Sequence, residues 1–120
     1  MTKYHSEHTW VRVENDSAFV GITAHAQETL GDIVFVELAE IGKAFDQGSV
    51  AGVVESVKAA ADMHMPVSSS IVAVNEDLRA DPSLANSDPE GAGWFYRIKL
   101  SNPAELDQLM DAAAYQSFTG

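Results

Sequence analysis

Cysteine is absent from this chain of 120 residues. That excludes disulfides, a thiolate zinc site and a cysteine nucleophile, so any redox sulfur has to arrive on a cofactor. Positive charge is scarce. Seven Lys and Arg stand against 18 Asp and Glu, for a formal net charge of −11. Nucleic acid and anionic membrane both select basic surface, so neither is expected as a partner. The charge suits docking on basic protein surfaces instead. No stretch approaches membrane-spanning length, and the start, Met1 to His8, has no apolar signal core. The cytoplasm is the expected compartment, or the mitochondrial matrix for a processed eukaryotic chain. With 46% apolar and 21% charged residues, one folded domain over residues 1–120 with a real core is expected, in a single copy.

What is present reads mainly as short strands. Thr9 to Glu14 and Ser17 to Ile22 alternate apolar and polar side chains around Asn15-Asp16, which predicts a hairpin. Thr23 can cap a short helix that runs through Leu30 and ends at Gly31. Asp32 to Leu38 and Ser49 to Ser56 read as strong strands, Ala61 to Pro66 as a weaker one, and Ile71 to Val74 as another. Asn75 to Asp88 is polar, with short helical turns anchored by Leu78 and Leu84. Trp94 to Leu100 is a strand, and Trp94, Phe95 and Tyr96 read as packing residues. Pro103 opens a helix through Leu106 and Met110, and a last helix covers Ala112 to Phe118. The fold class is therefore mainly β with short flanking helices: a sandwich or flattened barrel over about residues 8–100, then C-terminal helices over about 103–118.

One lysine stands apart. Lys58 is the only base in the run Val50 to Ala61, with valine before it and alanine after it. If the flanking apolar segments are strands, Lys58 lies near the turn between them, where a side chain is exposed on a fixed backbone. Taken alone, the residue is either a solvated surface charge or an attachment point. His5, His8, His25 and His64 are too scattered for a metal motif, and no Ser-His-Asp constellation is visible.

Four ordered blocks change the weight of these readings. They are Gly21-Ile22-Thr23-Ala24-His25-Ala26-Gln27 with Leu30 to Leu38; Val54-Glu55-Ser56-Val57-Lys58-Ala59; Pro66-Val67-Ser68 with Val74-Asn75-Glu76; and Asn86 with Asp88-Pro89 and Gly93-Trp94. From His8 to about Phe118 the chain resembles the H protein of the glycine cleavage system, a lipoate carrier. Biotin carriers are similar in fold but set their lysine between methionines, and lipoyl domains of 2-oxoacid dehydrogenases usually have aspartate where Val57 stands.

The resemblance implies a barrel-sandwich hybrid of the lipoyl/biotinyl type, with lipoic acid bound covalently as lipoyl-lysine at Lys58. It implies that a lipoate-attaching enzyme reads Glu55. It implies a carrier, with no catalysis of its own, that takes the aminomethyl group from glycine decarboxylase (P protein) to an aminomethyltransferase (T protein). A dihydrolipoamide dehydrogenase (L protein) then reoxidises it. A lipoyl relay without glycine turnover and an unmodified acidic interaction domain are the rival readings. The loaded arm ends in a cationic amine, and family acids near the lipoyl strand and the N-terminal segment hold it. Asp62 matches one such position, and Thr9 and His8 are further candidates for contact with the loaded arm.

Two positions depart from the pattern. Thr9 stands where the family commonly has glutamate; it can hydrogen-bond an amine but cannot pair with its charge. Glu7 is close in sequence, yet strand alternation would turn it to the opposite face. This leaves Asp62 as the expected main charge partner. Ser69 stands where the family usually has glycine, and a strained turn with a small stability cost is expected there.

Overall fold

The computed structural model describes residues 2–15 and 17–119. The chain runs β1 (Thr2–His5), β2 (Thr9–Glu14), β3 (Ser17–Ile22), α1 (Ala24–Leu30), β4 (Ile33–Leu38), β5 (Ala44–Phe45), β6 (Val50–Ser56), β7 (Ala60–His64), β8 (Ser69–Val74), α2 (Glu76–Ala80), α3 (Leu84–Ser87), β9 (Tyr96–Leu100), a 3₁₀ turn (Pro103–Gln108) and α4 (Ala112–Thr119). The strands form a six-stranded sheet in the order β1-β2-β3-β9-β8-β5 and a three-stranded sheet in the order β4-β6-β7. Inward residues of both sheets meet in one core that includes Val11, Val20, Val36, Val54, Met63 and Ile98. Among the described residues no helix is long and apolar enough to cross a membrane.

The larger sheet gains a strand that local pattern does not announce. Thr2–His5 has no apolar alternation, yet it pairs with β2 in the register Tyr4↔Trp10. Tyr4 also exchanges backbone hydrogen bonds with Met110, at 2.8 and 3.0 Å. That exchange holds Met110 extended, so the expected helix through Met110 stops short as a 3₁₀ turn at Gln108. Tyr4 then stacks on Tyr115 of α4, with ring centroids 4.7 Å apart. Trp94 and Phe95 precede β9 rather than open it.

Ser69 is not strained. Positive φ among described non-glycine residues occurs at His8 (65°) and Asn15 (56°). Ser69 instead starts β8, paired with Phe45 and Leu100, and its buried hydroxyl donates to the Val67 carbonyl. The expected turn penalty is therefore corrected, because the strand begins two residues earlier than its apolar run suggests. Asn15 has the left-handed conformation that a tight hairpin favours; its partner in that motif, Asp16, lies outside the described residues.

Two networks fix the elements around the later site. Asn86, in α3, donates from Nδ2 to Gln27 Oε1 (3.0 Å) and to the Gly31 carbonyl (2.9 Å), and its Oδ1 accepts from the Ile33 amide (2.8 Å). One side chain thus ties the end of α1 to the start of β4. In the second network, Thr23 Oγ1 caps α1 by accepting from the Ala26 amide and lies 2.8 Å from Tyr115 Oη, which lies 2.7 Å from His8 Nδ1. A neutral His8 satisfies this chain: the Thr23 hydroxyl donates to the phenol, and the phenol donates to the imidazole.

Replacing Asn86 with alanine leaves one part-buried amide and one part-buried carbonyl unpaired. It should lower unfolding free energy by about 2–4 kcal/mol, read by urea denaturation, and an unchanged midpoint would refute the tie.

The histidines give a pH signature. Burial first, then His25, holds His8 below the ordinary histidine value of 6.5, with Glu7 opposing. Burial first, then His64, does the same for His5, again against Glu7. Both fold neutral, so their contribution to stability is complete above 6.5 and is lost as pH falls from there through the lowered folded values. The melting temperature should therefore drop between pH 7 and 5. The drop should be shallower in the His5→Gln/His8→Gln variant; parallel curves would refute the assignment.

Candidate functional site

Lys58 sits at the tip of the β6–β7 hairpin. The Ser56 amide donates to the Ala59 carbonyl at 2.8 Å, closing a two-residue loop of Val57 and Lys58. The Ser56 hydroxyl accepts from the amides of Lys58 (3.2 Å) and Ala59 (3.1 Å). The Val57 amide donates to the Asp32 carbonyl at 3.0 Å, which pins the tip to the α1–β4 connection. A tip of this kind holds its backbone still while the side chain stays exposed. Val57 is 67% exposed and Lys58 is exposed beside it. Among the described residues Lys58 Nζ has no hydrogen bond or ion pair.

The lysine stem crosses Gly31, whose φ is +78°. A Cβ built at position 31 would lie 3.1 Å from Lys58 Cε and 3.8 Å from Nζ. Glycine is needed there for the positive-φ backbone that ends α1, while the lysine stem that passes over it is free to move.

Beside this platform lies a cleft of about 350 Å³. Its walls come from the β1–β2 turn (Glu7, His8), β2 (Thr9), α1 (His25, Leu30) and β7 (Asp62, His64), among others. β7 is the edge strand of the smaller sheet, so the cleft runs along an open margin. Leu30 on its wall is the neighbour of Gly31 beneath Lys58, so the amine stands next to the cleft.

The structure brings four of the five sequence-derived candidates to one region: Lys58 at the tip, and His8, Thr9 and Asp62 in the cleft wall. Glu55 is exposed on β6, opposite Phe35 and Ala60, and does not line the cleft. Thr9 is buried, and its Oγ1 has no hydrogen-bond partner among the described residues. Among those residues no group of three His, Asp or Glu is arranged to hold a metal.

Glu7 corrects an expectation. Alternation holds only within a strand, and residues 6–8 are a three-residue turn with His8 in the left-handed region. The turn sends Glu7 into the same cleft as Thr9 and Asp62, with its Oε2 3.8 Å from His64 Nε2. The Glu7 amide donates to His5 Nδ1 at 3.0 Å, which fixes the turn from behind. His64 was visible only as one of four scattered histidines. The β6–β7 register Val53↔Asp62 and Val50↔His64 is what brings it to the cleft.

Comparison with known proteins agrees with this architecture. Residues 2–120 match the family model described as glycine cleavage H-protein. The chain is 57% identical over 119 residues to the glycine cleavage system H protein of Chromobacterium violaceum, covering 98% of this chain and 93% of that one. It is 56% identical, with the same coverage, to glycine cleavage system H protein 2 of Pseudomonas putida. The crystal structure of a glycine cleavage system H protein from Mycobacterium marinum superposes with a TM-score of 0.91 at 35% identity, covering 99% of this chain and 96% of that one. With a match along nearly the whole chain in family, sequence and fold, the chain belongs to the glycine cleavage H-protein family.

Proposed function

We propose that this chain is a lipoate-bearing carrier of the glycine cleavage system, a carrier component rather than an enzyme, with lipoate amide-linked to Nζ of Lys58. The observation that carries the reading is an amine with no partner among the described residues, on a hairpin tip fixed by Ser56 and Asp32, beside a cleft. The residues fit such a group: the tip exposes the amine to an attaching enzyme, and the cleft lies next to it. When bound, the lipoyl group supplies the sulfurs that carry an aminomethyl unit between active sites, chemistry that a chain without cysteine lacks.

The chain's own residues do the rest. Ser56 and the Asp32 carbonyl keep the root of the arm from wandering, which keeps its reach constant at each partner. Exposed Glu55 marks the strand for the lipoate-attaching enzyme. Asp62, Thr9 and His8 line the space into which a loaded arm folds back, and Asp62 supplies negative charge against the cationic amine. The partners on this reading are the P, T and L proteins, and acidic surface favours their association by steering.

Expression with lipoate followed by intact mass and peptide mapping should show one lipoyl addition on Lys58. Lys58→Arg should lose it entirely, and an unmodified wild-type chain would overturn the carrier reading. For the loaded arm, Asp62→Ala should raise the rate at which the aminomethyl group is lost to water, read as formaldehyde and ammonia released, by about threefold or more, the scale of one solvent-screened charge contact. Equal rates would remove Asp62 from the role.

A further inference from the structure

The outer face of the smaller sheet carries a bulge next to the lysine tip. β4 and β6 pair Ile33 with Ser56 and Phe35 with Glu55, so Val34 is an extra residue between two consecutive partners. A bulge breaks the alternation of a strand and re-aims its side chains. Here Val34 and Phe35 both face solvent, 55% and 50% exposed. In regular alternation one of the two would turn into the core, as Ile33 and Val36 do. Val57 lies beside them, because its amide donates to the Asp32 carbonyl, one residue before Ile33. Three exposed large apolar side chains thus gather at the end of the sheet that carries Lys58. Glu55 stands directly opposite Phe35, and small Ala60 on its other side leaves it open. Asp32 is exposed at the same tip, and neither acid makes an ion pair among the described residues. An exposed apolar cluster with a polar rim marks a contact surface.

We propose that Val34, Phe35 and Val57, with Glu55, are the docking surface for the enzyme that acylates Lys58, and that Phe35 is its anchor. The inference rests on the carrier reading and names the surface through which that modification is made. Reach selects this partner over those that meet the carrier later. A bare lysine holds its amine on a four-carbon stem. An enzyme that joins an activated lipoyl carboxyl group to Nζ must therefore press its active site against the tip itself. The amine attacks the acyl carbon, loses a proton and expels the activating group, and no patch residue touches those atoms. Once the acyl chain is attached, the sulfurs lie at the far end of the arm. An enzyme that works on them has no need to cover β4. Charge agrees with the choice: Asp32 and Glu55 at the rim select an apolar socket edged by Lys or Arg. Phe35 already stands on a strand, so it loses little freedom on entering such a socket, and buried aromatics of this kind dominate interface energies.

The test gives the full unlipoylated chain to a purified lipoate–protein ligase with lipoate and ATP, and follows the product by intact mass. Phe35→Ala should lower kcat/KM for the carrier about five- to thirtyfold, the scale of losing one aromatic interface anchor. Most of the loss should lie in KM, since the residue docks and does not react. Phe35→Leu should recover part of it. Phe35→Lys should lose more than alanine does, because it sets a cation against a basic socket. Val72→Ala, at a valine 45% exposed on β8 of the other sheet, should be lipoylated at the wild-type rate. Phe35 lies outside the core cluster, so its variants should keep the wild-type urea midpoint. Wild-type kcat/KM in both Phe35→Ala and Phe35→Lys overturns the docking surface. So does normal lipoylation of Phe35→Ala followed by slow aminomethyl loading, which assigns the patch to the decarboxylase. A wild-type chain that stays unmodified sinks the carrier reading and the docking surface together, a result distinct from both.

Discussion

Three hydrogen bonds from one asparagine hold the functional end of this molecule together. Asn86 joins Gln27 and Gly31 at the end of α1 to Ile33 at the start of β4. Between those anchors lies Asp32, whose carbonyl receives the Val57 amide. The Lys58 tip is therefore positioned from below by a residue nearly 30 positions away in sequence. Gly31 completes the arrangement, because its φ of +78° ends α1 in a conformation that side chains rarely adopt. A tether is useful only if its root is fixed, since wandering of the root dilutes the end of the arm at every partner. Rigidity at Asn86 and freedom at Lys58 Nζ are two sides of one design.

The same division appears across the cleft. Its back wall is firm: Thr9 is buried in β2, beside Trp10, whose indole donates to the Ile22 and Pro89 carbonyls. Gly21 is required behind that indole, because a Cβ there would come within 2.9 Å of the ring. Its front margin is open: Glu7 sits on an exposed turn and Asp62 on an edge strand. The acidic side chains of the cleft therefore lie where they can adjust, on elements held by a wall that cannot. The strain at His8 belongs to this margin. Histidine tolerates the left-handed region better than most residues, and its ring is held by Tyr115 and lies tilted against His25, with ring centroids 4.7 Å apart.

Much of this was legible in the sequence, and the exceptions share a cause. The β2–β3 hairpin, α1 with its Thr23 cap and Gly31 stop, β4, β6 and the turn at Lys58 all follow from local signals, since each is encoded within ten residues or so. β1, the short β5 and the 3₁₀ turn do not. Thr2–His5 carries no alternation and exists as a strand because Trp10 and Met110 flank it. Glu7 was misassigned for the same reason: with β1 unseen, residues 6–8 looked like the run-in to a strand instead of a turn. The role of Asn86 was equally invisible, because its partners at 27, 31 and 33 meet it only in the folded state. His64 needed the β6–β7 register before its nearness to Glu7 had any meaning.

The acidity of the chain takes on a more specific sense in this light. Amide formation at Lys58 would take the formal net charge from −11 to −12, so an attached arm lies in a field more negative than the one the bare lysine met. A neutral empty arm is indifferent to that field, whereas a cationic loaded end is drawn by it. The diffuse field cannot by itself hold the cargo, because at physiological ionic strength it decays over roughly 8 Å. Retention needs carboxylates within contact distance, and release to a partner needs those contacts to be few and part-exposed. On the proposed reading, Asp62 on an edge strand satisfies both conditions. A deeply buried acid would hold the amine too firmly for the next enzyme to remove it, and a fully solvated one would not hold it at all.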